Sequence, residues 1–295
     1  MLLRTGALNL LANALAPATR AAYTRALSRF KSFATLHKLS VDLPISVDTL
    51  SLFITYLFNQ GLPASSISSI LSAISYHHKI RNYIDPSKAF AIQQMLLTIR
   101  KERPTVDSRH PITENLLQML IEALARLKLP LYEFLLFQAM FTLAFYFGLR
   151  IGEITKSPHN LNRSQIKVSK NQLSLTFISF KHSHADPFSH TYQAKSSPLC
   201  PVAAMNQYVK MRGDTQGPLF SLGNNPLTRH CFTSRLKLLL VAVGERKVNF
   251  NSHSFRIGAA SMWASQGKSD IEIQRLGRWQ SNAFRKYLRG TVVHS

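Results

Sequence analysis

The chain has 295 residues, long enough for one large domain or two ordinary ones, and its 45% hydrophobic and 10% aromatic content excludes a disordered polymer. It carries 36 Lys+Arg against 14 Asp+Glu, a formal net charge of +22, which favours a polyanionic partner. Nucleic acid is preferred over an anionic membrane, because the basic residues run along the whole sequence instead of lying in one amphipathic tract. Two cysteines, Cys200 and Cys231, exclude a disulfide framework and a four-cysteine zinc site.

The first twenty residues, MLLRTGALNLLANALAPATR, lack acidic side chains and could be mistaken for a transit peptide. Residues 1–16 are nonetheless read as an N-terminal extension. In ATRAAYTRALSRFKSFATLHK, helical spacing puts Tyr23, Ala26, Leu27, Phe30, Phe33 and Ala34 on one face, leaving Arg20, Arg25, Arg29 and Lys31 elsewhere. SVDTLSLFITYLFNQG has a Ser46/Asp48 cap signal and stops at Gly61. SSISSILSAISYHHKI and KAFAIQQMLLTIRKER supply two more helices. Residues 17–100 therefore read as a compact helical domain with basic edges.

A charged stretch with Pro104 and Pro111 marks a linker, placed at 101–110, and a second domain follows over 111–295. TENLLQMLIEALARL reads as a helix after a Thr113 cap. EFLLFQAMFTLAFYFG, ending at Gly148, is too short for a bilayer span and reads as a buried core helix. SQIKVSKNQLSLTFISFKHS alternates as two strands around a Lys170–Asn171 turn, and FSHTYQ is a candidate third strand. From Pro201 the pattern is helical again, punctuated by Gly267, Gly277 and Gly290. The fold class expected is mainly α (α+β), with a small antiparallel sheet in the second domain.

Metal-dependent phosphodiester chemistry needs converging carboxylates, and the acidic residues after Glu153 are few and scattered. His182, His184 and His190 could bind zinc, but no second ligand cluster accompanies them; a solvated loop is the competing reading. The basic residues are better organised. Glu153 follows Arg150 by three and can orient its guanidinium from one helical face. His253 and Arg256 are also three apart, on a helix expected to be capped by Asn251 or Ser252. Taken singly, the first pair has a plain surface ion pair as its competing reading, and the second a satisfied histidine beside a solvated arginine. Lys181 ends the longer strand, where a hairpin tip can reach outward.

In this order FYFGLRIGEI, HSFRIGAASMWASQG and IQRLGRWQSNAFRKYLR resemble the arginine box, the His-x-x-Arg box and the closing tyrosine box of the tyrosine recombinase (phage integrase) family. The likeness runs from about Pro17 to Gly290, and the helical first half is similar to the family's core-binding domain. GRWQSNAFRKYLRG looks closest to recombinases of eukaryotic mobile elements, the DIRS-like retrotransposons and Cryptons.

The resemblance implies that Arg150, Lys181, His253, Arg256 and Trp279 surround a scissile phosphate and that Tyr287 attacks it, with Glu153 orienting Arg150. Arg20, Arg25, Arg29, Lys31, Arg278 and Arg285 would contact DNA. No metal, ATP or other cofactor is required. The partner would be double-stranded DNA, closed between two domains and shared by several copies of the chain, in the nucleus of a eukaryote or the cytoplasm and nucleoid of a prokaryote. Three departures go with the resemblance. Trp279 stands where many members carry histidine, and it precedes Tyr287 by eight residues where about nine is common. Eight residues follow Tyr287, so a C-terminal helix exchanged between subunits would be short or missing. A DNA-binding protein descended from a recombinase that no longer cuts is the alternative, and a type IB topoisomerase-like enzyme shares the chemistry.

Overall fold

The computed structural model describes residues 2–104, 108–178, 187–223 and 225–288. The chain divides into two compact units, Met1–Asp107 and Ser108–Ser295.

The first unit is helical: α1 (Leu2–Asn13), α2 (Pro17–Leu36), α3 (Val47–Asn59), α4 (Ala64–Lys79) and α5 (Phe90–Glu102). Helix α2 buries Ala26, Phe30, Phe33 and Ala34, four of the six residues its periodicity places on one face. Ser46 caps α3 by accepting the Thr49 amide at 3.1 Å, which satisfies one of the amides that a helix start leaves without a partner. Phe53 of α3 meets Phe30 edge-on at 5.3 Å and Phe33 at 5.0 Å, and Leu57, Ile67, Ile74 and Ile92 close the core around them. His78 is buried there. It accepts the Ile45 amide at Nε2 and donates from Nδ1 to the Ile74 carbonyl, so its partners fix the tautomer.

In the second unit, α6 (Glu114–Arg126) begins at Thr113, whose hydroxyl accepts the Leu116 amide at 3.1 Å. Helix α7 (Leu131–Tyr146) is buried on every side from Ala139 to Tyr146, as an all-round apolar sequence must be in water. It packs against α6, α9 (Pro201–Arg212) and α11 (Ser254–Ser265). Among the described residues, no helix is long and apolar enough to cross a membrane.

The short α8 (Ile151–Ile154) follows α7 through Gly148, which takes φ +52°. An antiparallel sheet comes next: β1 (Ile166–Val168), β2 (Gln172–Phe177) and β3 (Phe188–Gln193), in that spatial order. Its register pairs Ile166 with Leu175 and Leu175 with His190. The turn between β1 and β2 falls at Lys170–Asn171, where the alternation places it. A further two-residue pair, β4 (Ser221–Leu222) with β5 (Asn225–Pro226), is too short to leave an alternating signal in the sequence. Helices α10 (Arg229–Ala242) and α12 (Asp270–Gly277) and a 3₁₀ helix over Asn282–Tyr287 complete the unit. The architecture is mainly helical with one small antiparallel sheet, as the sequence pattern implies.

Candidate active site

Two backbone segments carry the site, Phe147–Glu153 after α7 and Leu276–Trp279 at the end of α12, and three arginines tie them together. Arg150 is the N-cap of α8 instead of a residue within a helix. Glu153 Oε2 accepts the Arg150 amide at 2.8 Å, and its Oε1 accepts Arg150 Nη1 at 3.2 Å. The other arm of Arg150, Nη2, donates to the carbonyl of Arg278 at 2.6 Å. Arg256, on α11, donates from Nη1 to the Gly148 carbonyl and from Nη2 to the Gly277 carbonyl at 2.8 Å. Its guanidinium lies 4.4 Å from the Trp279 ring centre, a cation–π arrangement.

The third arginine corrects a sequence expectation. Arg278 does not lie at the surface, where a phosphate contact was expected: its side chain is 1% exposed and donates to Glu153 Oε2 at 2.8 Å. It also reaches the Leu276 carbonyl at 3.1 Å and stacks 4.0 Å over the Phe177 ring at the end of β2. A buried guanidinium needs a carboxylate and further acceptors to replace water; this pocket supplies them to both terminal nitrogens and leaves Nε without one. Residue type alone gives no warning of it.

Three guanidiniums around one carboxylate leave an excess of positive charge. Burial alone would raise the Glu153 pKa, but Arg278, Arg150 and Arg256 outweigh it and hold the carboxyl below its ordinary range. Burial, then Arg150 and Arg278, pull the Arg256 pKa down, opposed by Glu153 and Tyr287. Such a cluster attracts an anion able to share its charge. Arg150, with 24% of its side chain exposed, is the member nearest to solvent.

The aromatic side of the site comes from α11 and the 3₁₀ helix. His253 is the N-cap of α11, not a residue inside it, because Asn251 Oδ1 takes the His253 amide at 2.8 Å and the helix begins at Ser254. The expected cap at Asn251 or Ser252 is thus moved on by one or two residues. The His253 and Tyr287 rings meet edge-on at 4.9 Å, and Trp279 lies 6.1 Å from Tyr287. Phe284 is fully buried beside Trp279, and Ser261 Oγ of α11 donates to the Tyr287 carbonyl at 3.1 Å. Tyr287 itself is half-buried at the rim.

The eight-residue interval between Trp279 and Tyr287 is accommodated by the winding of Asn282–Tyr287. A 3₁₀ helix rises about 2.0 Å per residue against about 1.5 Å for an α-helix, so these residues extend further than an α-helical turn would. Gly277 also plays a different part from the one expected. It is the last residue of α12, and the left-handed conformation falls on Arg278 at φ 54°, ψ 48°. A side chain on Gly277 would meet the Trp279 ring at 1.7 Å, so this glycine is needed for close approach.

The structure thus gathers Arg150, Glu153, His253, Arg256, Trp279 and Tyr287 in one place. Lys181 and the zinc candidates His182 and His184 lie outside the described residues. His190, the remaining zinc candidate, sits on β3 with its ring 4.6 Å from Phe147. Burial, then the charge of Arg278, push its pKa down to about 4. Among the described residues no group of three side chains could hold a metal ion. Arg25, Arg29 and Lys31 are exposed on α2, and Arg20 donates to Asn13 Oδ1 at 3.2 Å. Arg285 is 63% exposed and paired with Asp270 through Nε at 2.6 Å.

The chain shares its fold with tyrosine recombinases and integrases. The XerH site-specific recombinase, bound to palindromic difH substrate in a post-cleavage complex, superposes with a TM-score of 0.66 at 14% identity, over 91% of this chain and 75% of that one. The Tn1549 transposon integrase (aa 82-397), in complex with circular intermediate DNA, gives a TM-score of 0.67 at 12% identity over 95% and 92%. A lambda integrase dimer bound to a COC′ core site gives 0.63 at 17% over 96% and 76%. No sequence model of a protein family matches the chain, and no curated protein does.

Proposed function

We propose that this protein is a DNA strand-exchange enzyme of the tyrosine recombinase type, cutting and rejoining duplex DNA through a 3′-phosphotyrosine intermediate. The observation that carries the reading is the meeting of Tyr287, His253 and Trp279 beside the Arg150–Arg256 cluster. The Tyr287 hydroxyl attacks the scissile phosphorus, forming the tyrosyl ester while the bond to the 5′ oxygen breaks. Lys181, assigned from the sequence alone, protonates that leaving oxygen, and His253 takes the phenolic proton. A tyrosine phenol of ordinary pKa is about three units from ionised at pH 7, a handicap of about 4 kcal/mol, which a base and nearby cations offset. Arg150 and Arg256 bind the non-bridging oxygens with planar forks that lysine cannot reproduce. Each well-placed donor to developing charge is worth about 3 to 4 kcal/mol, enough for two arginines to do a metal ion's work. The ester conserves the bond energy, so religation by the freed 5′ hydroxyl needs no external energy source.

The net charge of +22 supports duplex DNA as the partner, with exposed Arg25, Arg29, Lys31 and Arg285 as phosphate contacts. Strand exchange requires several copies assembled on DNA. The GRWQSNAFRKYLRG box supports a eukaryotic mobile element of the DIRS or Crypton kind, and hence a nuclear enzyme. The test is incubation with a nicked suicide duplex carrying the element's termini, without metal. A protease-sensitive covalent adduct is expected, and Tyr287→Phe should abolish it. An adduct that persists in Tyr287→Phe would remove Tyr287 as nucleophile, and specific, salt-dependent binding with no adduct would leave a DNA-binding protein.

A further inference from the structure

Arg278 is the arginine the proposed chemistry does not use, yet it is buried, as Arg256 is. Its side chain is 1% exposed, too deep to meet a phosphate from solvent. One terminal nitrogen meets Glu153 Oε2 at 2.8 Å and the Gly148 carbonyl at 3.4 Å. The other meets the carbonyls of Leu276 at 3.1 Å and Phe147 at 3.4 Å, and one face covers Phe177. Apart from Phe177, every one of these partners belongs to the segment that holds Arg150 or to the one that holds Trp279.

We propose that Arg278 is a positioning residue: through Glu153, and through its own carbonyl, it sets the place of Arg150 and of the Trp279 ring that covers Arg256. This rests on the strand-exchange reading of the site. The grip on Arg150 is double. Glu153 offers one carboxylate to Arg150 Nη1 and to Arg278 Nη2, while the Arg278 carbonyl accepts Arg150 Nη2 at 2.6 Å. The backbone of Arg278 is left-handed, a conformation disfavoured for a residue with a side chain. That turn sends its guanidinium down to Glu153 and lets the next residue, Trp279, lie over Arg256. Without Arg278, Glu153 keeps no side-chain hydrogen bond but that of Arg150, and the two are free to shift together. A lysine would keep the charge but offer one point of contact in place of a fork, so it would neutralise Glu153 without fixing it.

The two tryptophans of the chain, Trp263 and Trp279, lie 6.4 Å apart at this site, so intrinsic fluorescence reports on it without any reaction. The full chain and the variants Arg278→Lys, Arg278→Gln and Glu153→Gln are compared in three ways. Duplex affinity is measured by anisotropy, adduct formation in single turnover at saturating enzyme, and tungstate binding, as a phosphate mimic, by tryptophan fluorescence. Arg278→Lys should bind duplex within about threefold of wild type, with an unchanged salt dependence, because it makes no phosphate contact. Its adduct rate should fall by about thirtyfold or more and its tungstate affinity by about tenfold, the pattern of a lost oriented donor. Glu153→Gln should do the same, and the double variant should be no worse than the poorer single one, because both act through one contact.

A duplex affinity lowered about tenfold with a shallower salt dependence, and a normal rate once bound, would make Arg278 a phosphate contact and overturn the proposal. Unchanged rate and tungstate affinity in a folded variant would overturn it too, leaving Arg278 a plain structural residue. Should Arg278→Lys fail to fold, Glu153→Gln and Arg278→Gln carry the same comparison. If the wild-type chain forms no adduct on any substrate, the strand-exchange reading fails, while the tungstate measurement still decides whether Arg278 places the anion-binding arginines.

Discussion

Arg256 holds its guanidinium 4.4 Å from the Trp279 ring centre while its Nη2 donates to the carbonyl of Gly277, two residues before that ring. The tryptophan is therefore a cover over Arg256, a phosphate-binding arginine of the proposed mechanism, as much as a candidate donor to phosphate. Trp279→Phe keeps a face over the guanidinium and should retain most adduct formation. Trp279→Ala admits water, weakens a cation–π contact worth about 0.5 to 2 kcal/mol, and should slow the adduct step by about tenfold with duplex affinity largely kept. Single-turnover assays on the same nicked duplex check the ordering. Equal rates for the two variants would mean the cover does not matter.

Gly277 tests the same contact from the backbone side. A Cβ there would meet Cζ3 of Trp279 at 1.7 Å, far inside any tolerated contact, and the neighbouring ring atoms at 2.1 and 2.3 Å. Gly277→Ala must push the indole off Arg256. It should cost about 1 to 3 kcal/mol of stability, as overpacking does, and shift the tryptophan emission. Gly267→Ala is the control: its φ of +74° strains the backbone, but nothing lies within 4 Å of the new atom. It should lower the melting temperature without moving the emission.

These contacts also show which parts of the site could be read in advance. Helices α2 to α5 of the first unit follow from apolar spacing and from Ser46 and Gly61, local properties of the chain, whereas α1 falls in the stretch read only as an extension. The boxes around Arg150, Arg256 and Tyr287 were legible because their residue types and intervals are themselves the signal. Arg278 was not, because its burial depends on Glu153 from 125 positions earlier and on Phe177 from the sheet. The eight-residue interval before Tyr287 was a difficulty only while an α-helix was assumed. The 3₁₀ winding of Asn282–Tyr287 follows from packing Phe284 and Tyr287 against α11, a tertiary cause that no window of sequence contains.

Gly258 sits where α11 crosses the segment leading into α6. A Cβ at this position would lie 1.8 Å from the Ile112 carbonyl oxygen and 2.9 Å from its carbon. Backbone cannot step aside as a flexible side chain can, and the Ile112 amide is already bound to the Ser254 carbonyl at 3.0 Å. Gly258→Ala should therefore destabilise by more than the roughly 1 to 3 kcal/mol usual for overpacking and displace the start of α11, which carries His253 and Arg256. Thermal unfolding together with the adduct assay would show both losses. A variant of normal stability would mean that α11 can slide on Ile112.

His190 should make stability depend on pH in the mildly acidic range. Burial against Phe147, and then the charge of Arg278, hold its folded pKa at about 4, whereas an unfolded histidine titrates near 6.5. Between those values the unfolded chain binds a proton that the folded chain refuses, so stability rises with pH across the window and is lost on acidification from pH 6.5 towards 4. A difference of about 2.5 units corresponds to about 3 kcal/mol at most, reduced by solvent at the partly exposed edge of the ring. His190→Leu keeps an apolar contact with Phe147 and removes the proton. Below pH 4 both chains should weaken further as Glu153, whose folded pKa lies under its ordinary value, takes up its proton beside Arg278. Urea unfolding at pH 7, 5.5 and 4.5 should give a gap between wild type and His190→Leu that closes or reverses as the pH falls, and a gap independent of pH would show that His190 is not kept neutral by this pocket.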